Sequence, residues 1–311
     1  MVLGEALVDL LESGADNEIV YRPAIGGAPL NVAVGIVRLG GAAELFASVG
    51  ADAFGTRIRN LLREVGVGDV GVVTVQAQTT LAVTSFAGSK PEFSFYGEPR
   101  SYALLGPDDI DEALVARASV LYCGSIALLS DRVRSAARRA WAVPGPVRAF
   151  DPNIRANLLT DPARVREIVE EFAATADIVK LSADDATLLY AEPPQAVAEH
   201  LARLGAGVVV LTLGSCGALV LTDGHSAQVE GVAVRAVDTT GAGDCVMATL
   251  LAGVLETGLP ADLPAWLALV SDAMRVAALV CERAGGASAM PTRSQVDARF
   301  PQQAEPSGPA E

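Results

Sequence analysis

Short apolar runs alternate with amphipathic segments through the second half of the chain. The apolar runs have the length and β-branched content of buried strands and occupy residues 120–123, 147–150, 178–180 and 207–213. Segments with helical periodicity lie between them at residues 131–142, 161–174, 183–189 and 194–204. Strands that alternate with helices form a parallel sheet covered on both faces, so this half predicts an α/β fold with a doubly wound, mostly parallel sheet sandwiched by helices.

The first hundred residues show a different pattern. Strands are predicted at residues 2–10, 18–24 and 43–49, with one helix from Pro29 to Gly40 and a second that ends near Gly66. Three further β-rich segments follow without a helix between them, at residues 70–75, 80–87 and 92–96. They predict a small antiparallel sheet that forms a lid outside the main domain, drawn from about residues 10–25 and 70–100.

The last third of the chain adds a hairpin and more helices. Residues 218–222 and 226–230 predict the hairpin, and one or two helices are expected within residues 263–282. A segment after Asp244, residues 245–255, is apolar on all sides and predicts a buried helix. The whole pattern predicts one domain over residues 1–300, followed by a disordered tail at residues 301–311.

Composition and charge narrow the classes of function. Hydrophobic residues make up 51% of the 311 residues, and the mean hydropathy is +0.37, which is enough for a full core. The net charge of −14 argues against binding to nucleic acid or to anionic membranes, because nothing offsets repulsion by phosphate. Charges or turn residues divide the apolar stretches, so no membrane span is predicted, and the N-terminus lacks the pattern of a signal peptide.

Cysteine and histidine usage further restricts the redox environment and the kinds of site that the chain can form. Cys123, Cys216, Cys245 and Cys281 are far apart in apolar runs, so they are expected to be buried thiols in a reducing cytoplasm. His200 and His225 are the two histidines of the chain, which makes a histidine-based triad or a poly-histidine metal site improbable.

The strongest candidate for chemistry is the segment Asp238-Thr239-Thr240-Gly241-Ala242-Gly243-Asp244. It opens the buried helix, so the N–H groups of the first turn, residues 241–244, are expected to point at a ligand and to favour an anion. A carboxylate base beside an anion site, here Asp244, is what phosphoryl transfer to a hydroxyl requires. The alternative is a glycine-rich turn with a capping aspartate.

A second glycine-rich segment, Gly26-Gly27-Ala28-Pro29-Leu30-Asn31, opens the first long helix. Two glycines allow the backbone to approach a ligand closely, and Asn31 would face that ligand from the first turn. The alternative is a tight turn with a capping asparagine. Further polar segments also follow predicted strands: Asp9 and residues 151–155, 182–185, 214–217 and 241–244. The topology of a doubly wound sheet would bring all of these to one edge.

These residues match a known family. Residues 26–31 resemble the N-terminal signature of the ribokinase-like (PfkB-type) carbohydrate kinases, and residues 238–244 resemble their C-terminal signature. The resemblance extends to about Pro291. The chain contains no Walker GxxxxGK[ST] loop and no GxGxxG segment that follows a predicted strand and opens a helix. The resemblance therefore implies an ATP-dependent sugar kinase with a large α/β domain and a small β lid.

The resemblance also implies roles for single residues. Asp244 would take the proton from the sugar hydroxyl, and the N–H groups of Gly241, Ala242 and Gly243 would form the anion hole. The implied substrate-binding set is Asp9, Gly26, Gly27, Asn31, Tyr96, Asn153, Arg155 and Asp244. Arg155 would either meet a substrate carboxylate or hold its own loop in place.

Nucleotide and metal sites follow from the same resemblance. Lys180, Ser182, Thr212, Gly214, Ser215 and Gly217 match positions around ATP. Ser182 and Asp185 stand where the family's K-x-N-x-x-E stretch has Asn and Glu, and Asp185 would hold Mg²⁺ through water. A monovalent cation, K⁺, is implied at Asp238, Thr240, Val280, Arg283, Gly285 and Ala289. Met274 replaces the asparagine that relatives often carry near adenine.

The acceptor remains open at this point. Residues 4–9 and 151–155 are most similar to those of fructokinases and 2-keto-3-deoxygluconate kinases. In the segment resembling fructokinases, Gly97 occupies the place of an arginine and Arg100 lies three residues further on, which leaves ribose and nucleosides as alternatives. A non-catalytic sugar-binding relative is a further alternative. The resemblance implies a cytoplasmic homodimer whose partners are a sugar and ATP.

Overall fold

The computed structural model describes residues 1–15, 18–87 and 90–301. The strands are β1 Val2–Leu3, β2 Leu7–Ala15, β3 Glu18–Gly26, β4 Leu45–Gly50, β5 Val72–Val75, β6 Leu81–Ala87, β7 Lys90–Tyr96, β8 Val120–Gly124, β9 Val147–Asp151, β10 Ile178–Ser182, β11 Val208–Thr212, β12 Ala218–Thr222 and β13 His225–Val229. The helices are α1 Ala28–Arg38, α2 Ala53–Val65, α3 Glu112–Ala116, α4 Asp131–Trp141, α5 Pro162–Ala173, α6 Ala183–Tyr190, α7 Pro194–Leu204, α8 Ala242–Thr257, α9 Leu263–Cys281, α10 Gly286–Ala289 and α11 Arg293–Arg299. The predicted tail lies outside the described residues except for Pro301.

Most strands join one large sheet. Among the described residues its order is β13-β12-β11-β10-β9-β8-β1-β4-β5. The strands from β11 to β5 in this order run parallel, whereas β12 and β13 pair antiparallel at one edge. The expected mostly parallel α/β sheet with helices on its faces is therefore confirmed.

Both faces of this sheet are buried because apolar side chains occupy consecutive strand positions. Val2 and Leu45 belong to one core cluster, while their neighbours Leu3 and Phe46 belong to the other. Helices α1, α2, α8 and α9 pack on the first face, and α4 to α7 pack on the second. Successive residues of a strand point to opposite faces, so continuous apolar runs are what a sheet covered on both sides needs.

The small sheet corrects three predictions. Its order is β3-β2-β6-β7 over the described residues, and the β2–β6 pair is parallel, so the sheet is mixed where an antiparallel one was predicted. Residues 70–75 were assigned to it wrongly, because Val72–Val75 pairs in parallel with β4 at the edge of the large sheet. The predicted strand at residues 2–10 is two strands, Val2–Leu3 in the large sheet and Leu7–Ala15 in the small one.

One helix in the described part of the chain, α9, is long and apolar enough to cross a membrane by length and composition. Trp266, Val270 and Met274 on this helix are buried in the first core cluster, and the helix packs along α8. It is therefore placed as a core helix. Cys123 and Cys245 are buried as predicted, whereas Cys216 is exposed, because it lies in the turn that follows β11.

Helices α1 and α8 cross at very short range. A Cβ added at Gly35 of α1 would lie 2.6 Å from the Cβ of Ala248 on α8, a separation that real side chains do not adopt. The missing side chain therefore permits the close approach of the two helices. Because α1 begins beside Gly27 and α8 begins beside Gly241, this crossing fixes the distance between the two glycine-rich segments.

Candidate active site

The structure brings together polar residues from four separate segments of the chain. Asn31 and Asn153 each contact Asp244, Lys180 contacts Asp151, and Asp185 contacts the backbone of Ile154. Residues 151–154 and 185 lie at or just beyond the carboxyl ends of the parallel strands β9 and β10, where a doubly wound sheet places its ligand crevice, and Lys180 lies inside β10.

Asp244 is buried in the first turn of α8 between two amide donors. Asn31 Nδ2 donates to Asp244 Oδ2 at 2.7 Å, and Asn153 Nδ2 donates to Asp244 Oδ1 at 3.3 Å. Burial raises the pKa of Asp244 above its ordinary value, while the hydrogen bond from Asn31 and the charges of Lys180 and Arg155 lower it. A carboxylate with a raised pKa is a stronger proton acceptor than an exposed aspartate.

The start of α8 is open to an anion. The cap residue Gly241 has a left-handed φ of 83° and no side-chain cap. The first N–H groups of a helix have no partner within it, and of these Ala242 N donates to the carbonyl oxygen of Thr239 at 3.1 Å. Lys180 Nζ lies 3.0 Å from where a Cβ on Gly243 would stand. The helix dipole and this ammonium group therefore place positive potential at the same point.

Lys180 is held there by a buried ion pair. Its Nζ lies 2.7 Å from Asp151 Oδ2, and the two side chains are 3% and 0% exposed. Burial opposes the charged ammonium, but Asp151, Asp185 and Asp244 raise the pKa of Lys180 above its ordinary value. Lys180 is thus a fixed cation beneath the first turn of α8.

The side chain of Asp9 packs against Gly26 in the first glycine-rich segment, residues 26–31. A Cβ at Gly26 would stand 2.1 Å from Asp9 Oδ2, and one at Gly27, where φ is 105°, would stand 2.6 Å from the carbonyl oxygen of Glu5. Burial raises the pKa of Asp9 to about 7; Arg155 lowers it, and Asp244 and Asp238 raise it further. Glycine at both positions leaves room for this carboxyl and for the chain that carries it.

Arg155 binds its own loop. Its Nη1 donates to Asn153 Oδ1 at 2.7 Å and to the carbonyl oxygens of Asn153 and Ile154 at 3.3 and 3.2 Å. This corresponds to the second of the two roles expected for it. Tyr96 ends β7 in the small sheet and is 57% exposed.

The residues expected around the nucleotide fall into two groups. Ser182 caps α6, and Asp185 accepts from the backbone N–H groups of Ile154 at 2.7 Å and Ser182 at 2.9 Å, so both of its oxygens bond within the protein. The loop from Thr212 to Gly217 joins β11 to β12. Residues 214–216 are exposed, and Gly217 closes the loop at φ 93°.

The residues expected around a monovalent cation come from two segments, the loop before α8 and the stretch from the end of α9 through α10. Asp238 Oδ1 accepts from Thr240 N at 2.9 Å, and its Oδ2 accepts from Gly285 N at 3.0 Å. Val280 ends the buried part of α9, Arg283 follows that helix, and Ala289 ends α10. Within residues 1–15, 18–87 and 90–301, no group of three or more His, Cys, Asp or Glu side chains could hold a metal ion.

Comparison with known proteins assigns the family. The model of the pfkB family carbohydrate kinases matches residues 2–293. The chain belongs to this family. It is 34% identical over 304 residues to a fructokinase of Klebsiella pneumoniae, covering 95% of this chain and 97% of the relative.

Solved structures agree with the family assignment. This pfkB-family chain superposes on the Xylella fastidiosa fructokinase with bound ATP at a TM-score of 0.88, with 28% identity and 98% of each chain covered. The fructokinase of Vibrio cholerae O395 with fructose, ADP and calcium ion bound gives 0.85, with 30% identity over 96% of this chain and 97% of that one. A double mutant of the latter protein is known with fructose, ADP and potassium ion. The resemblance inferred from the two signatures is confirmed, and the chain is an ATP-dependent sugar kinase.

Two buried groups in this pfkB-family kinase had no role of their own in the sequence analysis, although one of them lies in the segment 151–155 expected at the sheet edge. One is Asp151, the counter-ion of Lys180. The other is Glu5, whose Oε1 accepts from Ala28 N and whose Oε2 accepts from Ala127 N, each at 3.2 Å. The signal for Asp151 was available, because a lysine inside an apolar strand run requires a buried partner. The signal for Glu5 was absent, since residue 127 lies far along the chain.

We expect Glu5 to make folding stability pH-dependent. Burial raises its pKa from 4.5 to about 7, although hydrogen bonds from Ser125 and from backbone N–H groups lower it. Between these values the folded protein holds a proton that the unfolded chain releases, so stability is greatest below the unfolded pKa and falls as pH rises towards 7. Glu5→Gln should make this decrease shallower by about 1.4 kcal/mol per pH unit near pH 6.

Urea unfolding followed by tryptophan fluorescence from pH 5 to 7.5 measures this difference. Asp9 contributes a decrease of the same sign to both proteins, so the difference in slope belongs to Glu5. Glu64→Gln, at an exposed position on α2, is the matched control and should keep the wild-type slope. Equal slopes for wild type and Glu5→Gln would contradict the expectation.

Proposed function

We propose that this sugar kinase is fructokinase-like, transferring the γ-phosphoryl group of ATP to a sugar hydroxyl with Asp244 as the general base. The observation that carries this proposal is the environment of Asp244, a buried carboxylate beside the uncapped start of α8. The hydroxyl oxygen attacks phosphorus as its proton moves to Asp244, and the bond between the γ-phosphorus and the ADP oxygen breaks.

The anion hole is proposed at the N–H groups of Gly241, Ala242 and Gly243. Charge on the transferred phosphoryl group would meet the positive end of α8 and the ammonium group of Lys180 below it. This role differs from direct contact with nucleotide, because Lys180 is buried and paired with Asp151. The lysine therefore acts as a fixed charge beneath the first turn of the helix.

Sugar hydroxyls are proposed to bind at Asp9, Gly26, Gly27, Asn31, Tyr96, Asn153 and Arg155. Asn31 supports this most directly, because its Oδ1 is buried and accepts no hydrogen bond while its Nδ2 is bonded to Asp244. A buried acceptor without a partner is costly unless a ligand satisfies it. A sugar hydroxyl that donates to Asn31 Oδ1 would stand next to the proposed base.

The small sheet is proposed to act as the lid of a single kinase domain that spans residues 1–300. It carries Asp9 on β2 and Tyr96 at the end of β7, and β7 contacts the short turn Ala156–Leu158 that follows Arg155. Closure over the sugar would exclude water from the phosphoryl group. Edge strand β3 exposes Ile19, Val20 and Tyr21, which supports the expected homodimer. Its location in the cytoplasm is part of the proposal and rests on the cysteine usage of the sequence. Sedimentation equilibrium at about twice 32.0 kDa is the expected result.

ATP is proposed to bind along the loop that contains Thr212, Gly214, Ser215 and Gly217, with Ser182 and Asp185 on the neighbouring loop. Both Asp185 oxygens accept protein hydrogen bonds, so Mg²⁺ would be held mainly by the phosphates and would reach Asp185 through water.

The proposed K⁺ site uses Asp238, Thr240, Val280, Arg283, Gly285 and Ala289. A carboxylate with several backbone carbonyl groups suits a monovalent cation.

Substitution of the proposed base should abolish most turnover. Asp244→Asn keeps the shape of the side chain but removes the proton acceptor, so kcat should fall by about 10²–10⁴-fold with a smaller change in the sugar KM. A coupled assay of ADP release measures both constants. Asp184→Asn, an exposed carboxylate in the first turn of α6, is the matched control. Near-normal kcat in Asp244→Asn would refute the assignment.

A screen of acceptors tests the substrate. Fructose, 2-keto-3-deoxygluconate, ribose and a set of nucleosides are compared by kcat/KM, and fructose should exceed the others by about tenfold or more. The bonds of Arg155 to its own loop favour a neutral sugar over a carboxylate. A preference for another acceptor would assign the chain to that activity instead. Sugar binding without ADP release would favour the non-catalytic alternative.

Equal rates in sodium and potassium chloride would count against the K⁺ site.

A further inference from the structure

The short helix α10 presses its first residue against two parts of the site. A Cβ added at Gly286 would lie 2.8 Å from Asn31 Nδ2 and 3.0 Å from Asn31 Oδ1. On the other side, a Cβ added at Gly241 would lie 3.2 Å from Gly286 Cα. The main chain of Gly286 therefore lies between Asn31 and Gly241, the cap residue of α8. Neither of these two residues has space to move towards Gly286.

Two side chains hold this loop from opposite ends. Asp238 accepts from the N–H group of Gly285, immediately before Gly286. Arg38 holds the other end, because its Nη1 donates to the carbonyl oxygens of Ala287 at 3.1 Å, Ser288 at 3.2 Å and Met290 at 2.5 Å. Backbone carbonyl groups that would otherwise lack a partner are thereby satisfied.

Arg38 and Asn31 belong to the same rigid element. Asn31 lies in the first turn of α1 and Arg38 ends the helix, seven residues or two turns later, so both point to the same side. A guanidinium at a helix C-terminus also interacts favourably with the helix dipole. The contact of Gly35 with Ala248, between these two residues, fixes α1 against α8. Helix α1 therefore carries both the residue that touches the base and the residue that holds the loop behind it.

We propose that Arg38 is a positioning residue for phosphoryl transfer, which keeps Gly286 wedged between Asn31 and Gly241 by holding the carbonyl groups of Ala287, Ser288 and Met290. The inference rests on the proposed function, since it assumes that Asn31 and the start of α8 contact substrate. Without Arg38 the loop keeps its Asp238 anchor and the burial of Ala287, Ala289 and Met290 in the first core cluster, but it loses the three bonds that fix its carbonyl groups, so Gly286 can shift. Asn31 and the first turn of α8 then lose their fixed spacing around Asp244.

Arginine suits this task better than lysine. All three carbonyl groups accept from the single nitrogen Nη1, which the rigid guanidinium plane holds in place, while an ammonium on a flexible stem loses more side-chain freedom when it is held. Lysine nevertheless keeps the charge and part of the length. Arg38→Lys is therefore expected to retain part of the function that Arg38→Ala loses.

Steady-state kinetics with ATP and fructose, or the best acceptor of the screen, tests the proposal. Arg38→Ala should lower kcat by about 10–100-fold, because small displacements of catalytic groups are costly, while the KM for ATP stays within about twofold. Arg38→Lys should be intermediate, and added guanidinium ion should restore kcat of Arg38→Ala several-fold without raising that of wild type. Arg63→Ala, at the exposed end of α2, is the matched control and should keep kcat and show no rescue.

A second variant works from the opposite side of the loop. Gly286→Ala retains Arg38 but places a methyl group against the Asn31 amide, so it should also lower kcat while leaving the KM for ATP nearly unchanged. This variant and Arg38→Lys carry the test if Arg38→Ala does not fold.

The results separate the inference from the function on which it rests. Unchanged kcat in Arg38→Lys, Arg38→Ala and Gly286→Ala, together with an inactive Asp244→Asn, would overturn the role of Arg38 alone. A loss of kcat in Arg38→Ala that neither lysine nor guanidinium restores, with a lowered melting temperature, would reduce Arg38 to a structural residue and also overturn it. An active Asp244→Asn would instead overturn the proposed function.

Discussion

The structure around the site depends on one buried carboxylate that must stay close to an anion-binding helix end. Asp244 lies in the first turn of α8, with Asn31 donating to one oxygen and Asn153 to the other. These two amides come from segments more than 120 residues apart, so their convergence requires both α1 and the loop after β9 to be held against α8. The crossing at Gly35 and Ala248 provides this for α1.

Charge balance in the interior follows from that arrangement. Glu5, Asp151 and Asp244 are buried and Asp9 is half-buried; the loss of solvent raises the pKa of each of these carboxyl groups, and like charges nearby raise those of Asp9 and Asp151 further. Lys180, which is buried and bonded to Asp151, offsets the charge of Asp151 and Asp244, and Arg155 offsets that of Glu5, Asp9 and Asp244. The same ammonium lies beside Gly243, so one charge serves the stability of the interior and the potential at the start of α8.

The family assignment accounts for the fold and the kinase class, and the geometry of the site adds features that are local to this chain. The fold and the kinase class are shared with fructokinases over nearly the whole chain. The local features belong to this chain: Ser182 and Asp185 bond to each other as a helix cap, and Arg155 bonds to its own loop. A shared fold places the ligand crevice at the same edge of the sheet. The side chains that line the crevice and are free to contact a ligand determine which substrate binds.

The sequence by itself determined the alternation of buried strands with helices in the large sheet, and it determined where the two glycine-rich segments start a helix. These features are local, because they depend on hydrophobic periodicity and on proline or glycine at the first positions of a helix. Sheet membership was not local: residues 72–75 have the composition of a lid strand yet pair with β4, and residues 2–10 divide between two sheets. Only tertiary structure decided that Asp151 neutralises Lys180, that Glu5 joins two distant loops and that Arg38 holds the loop behind Gly286. Hydrogen bonds and ion pairs between distant segments depend on how helices and strands pack, and a single sequence carries no distance between them.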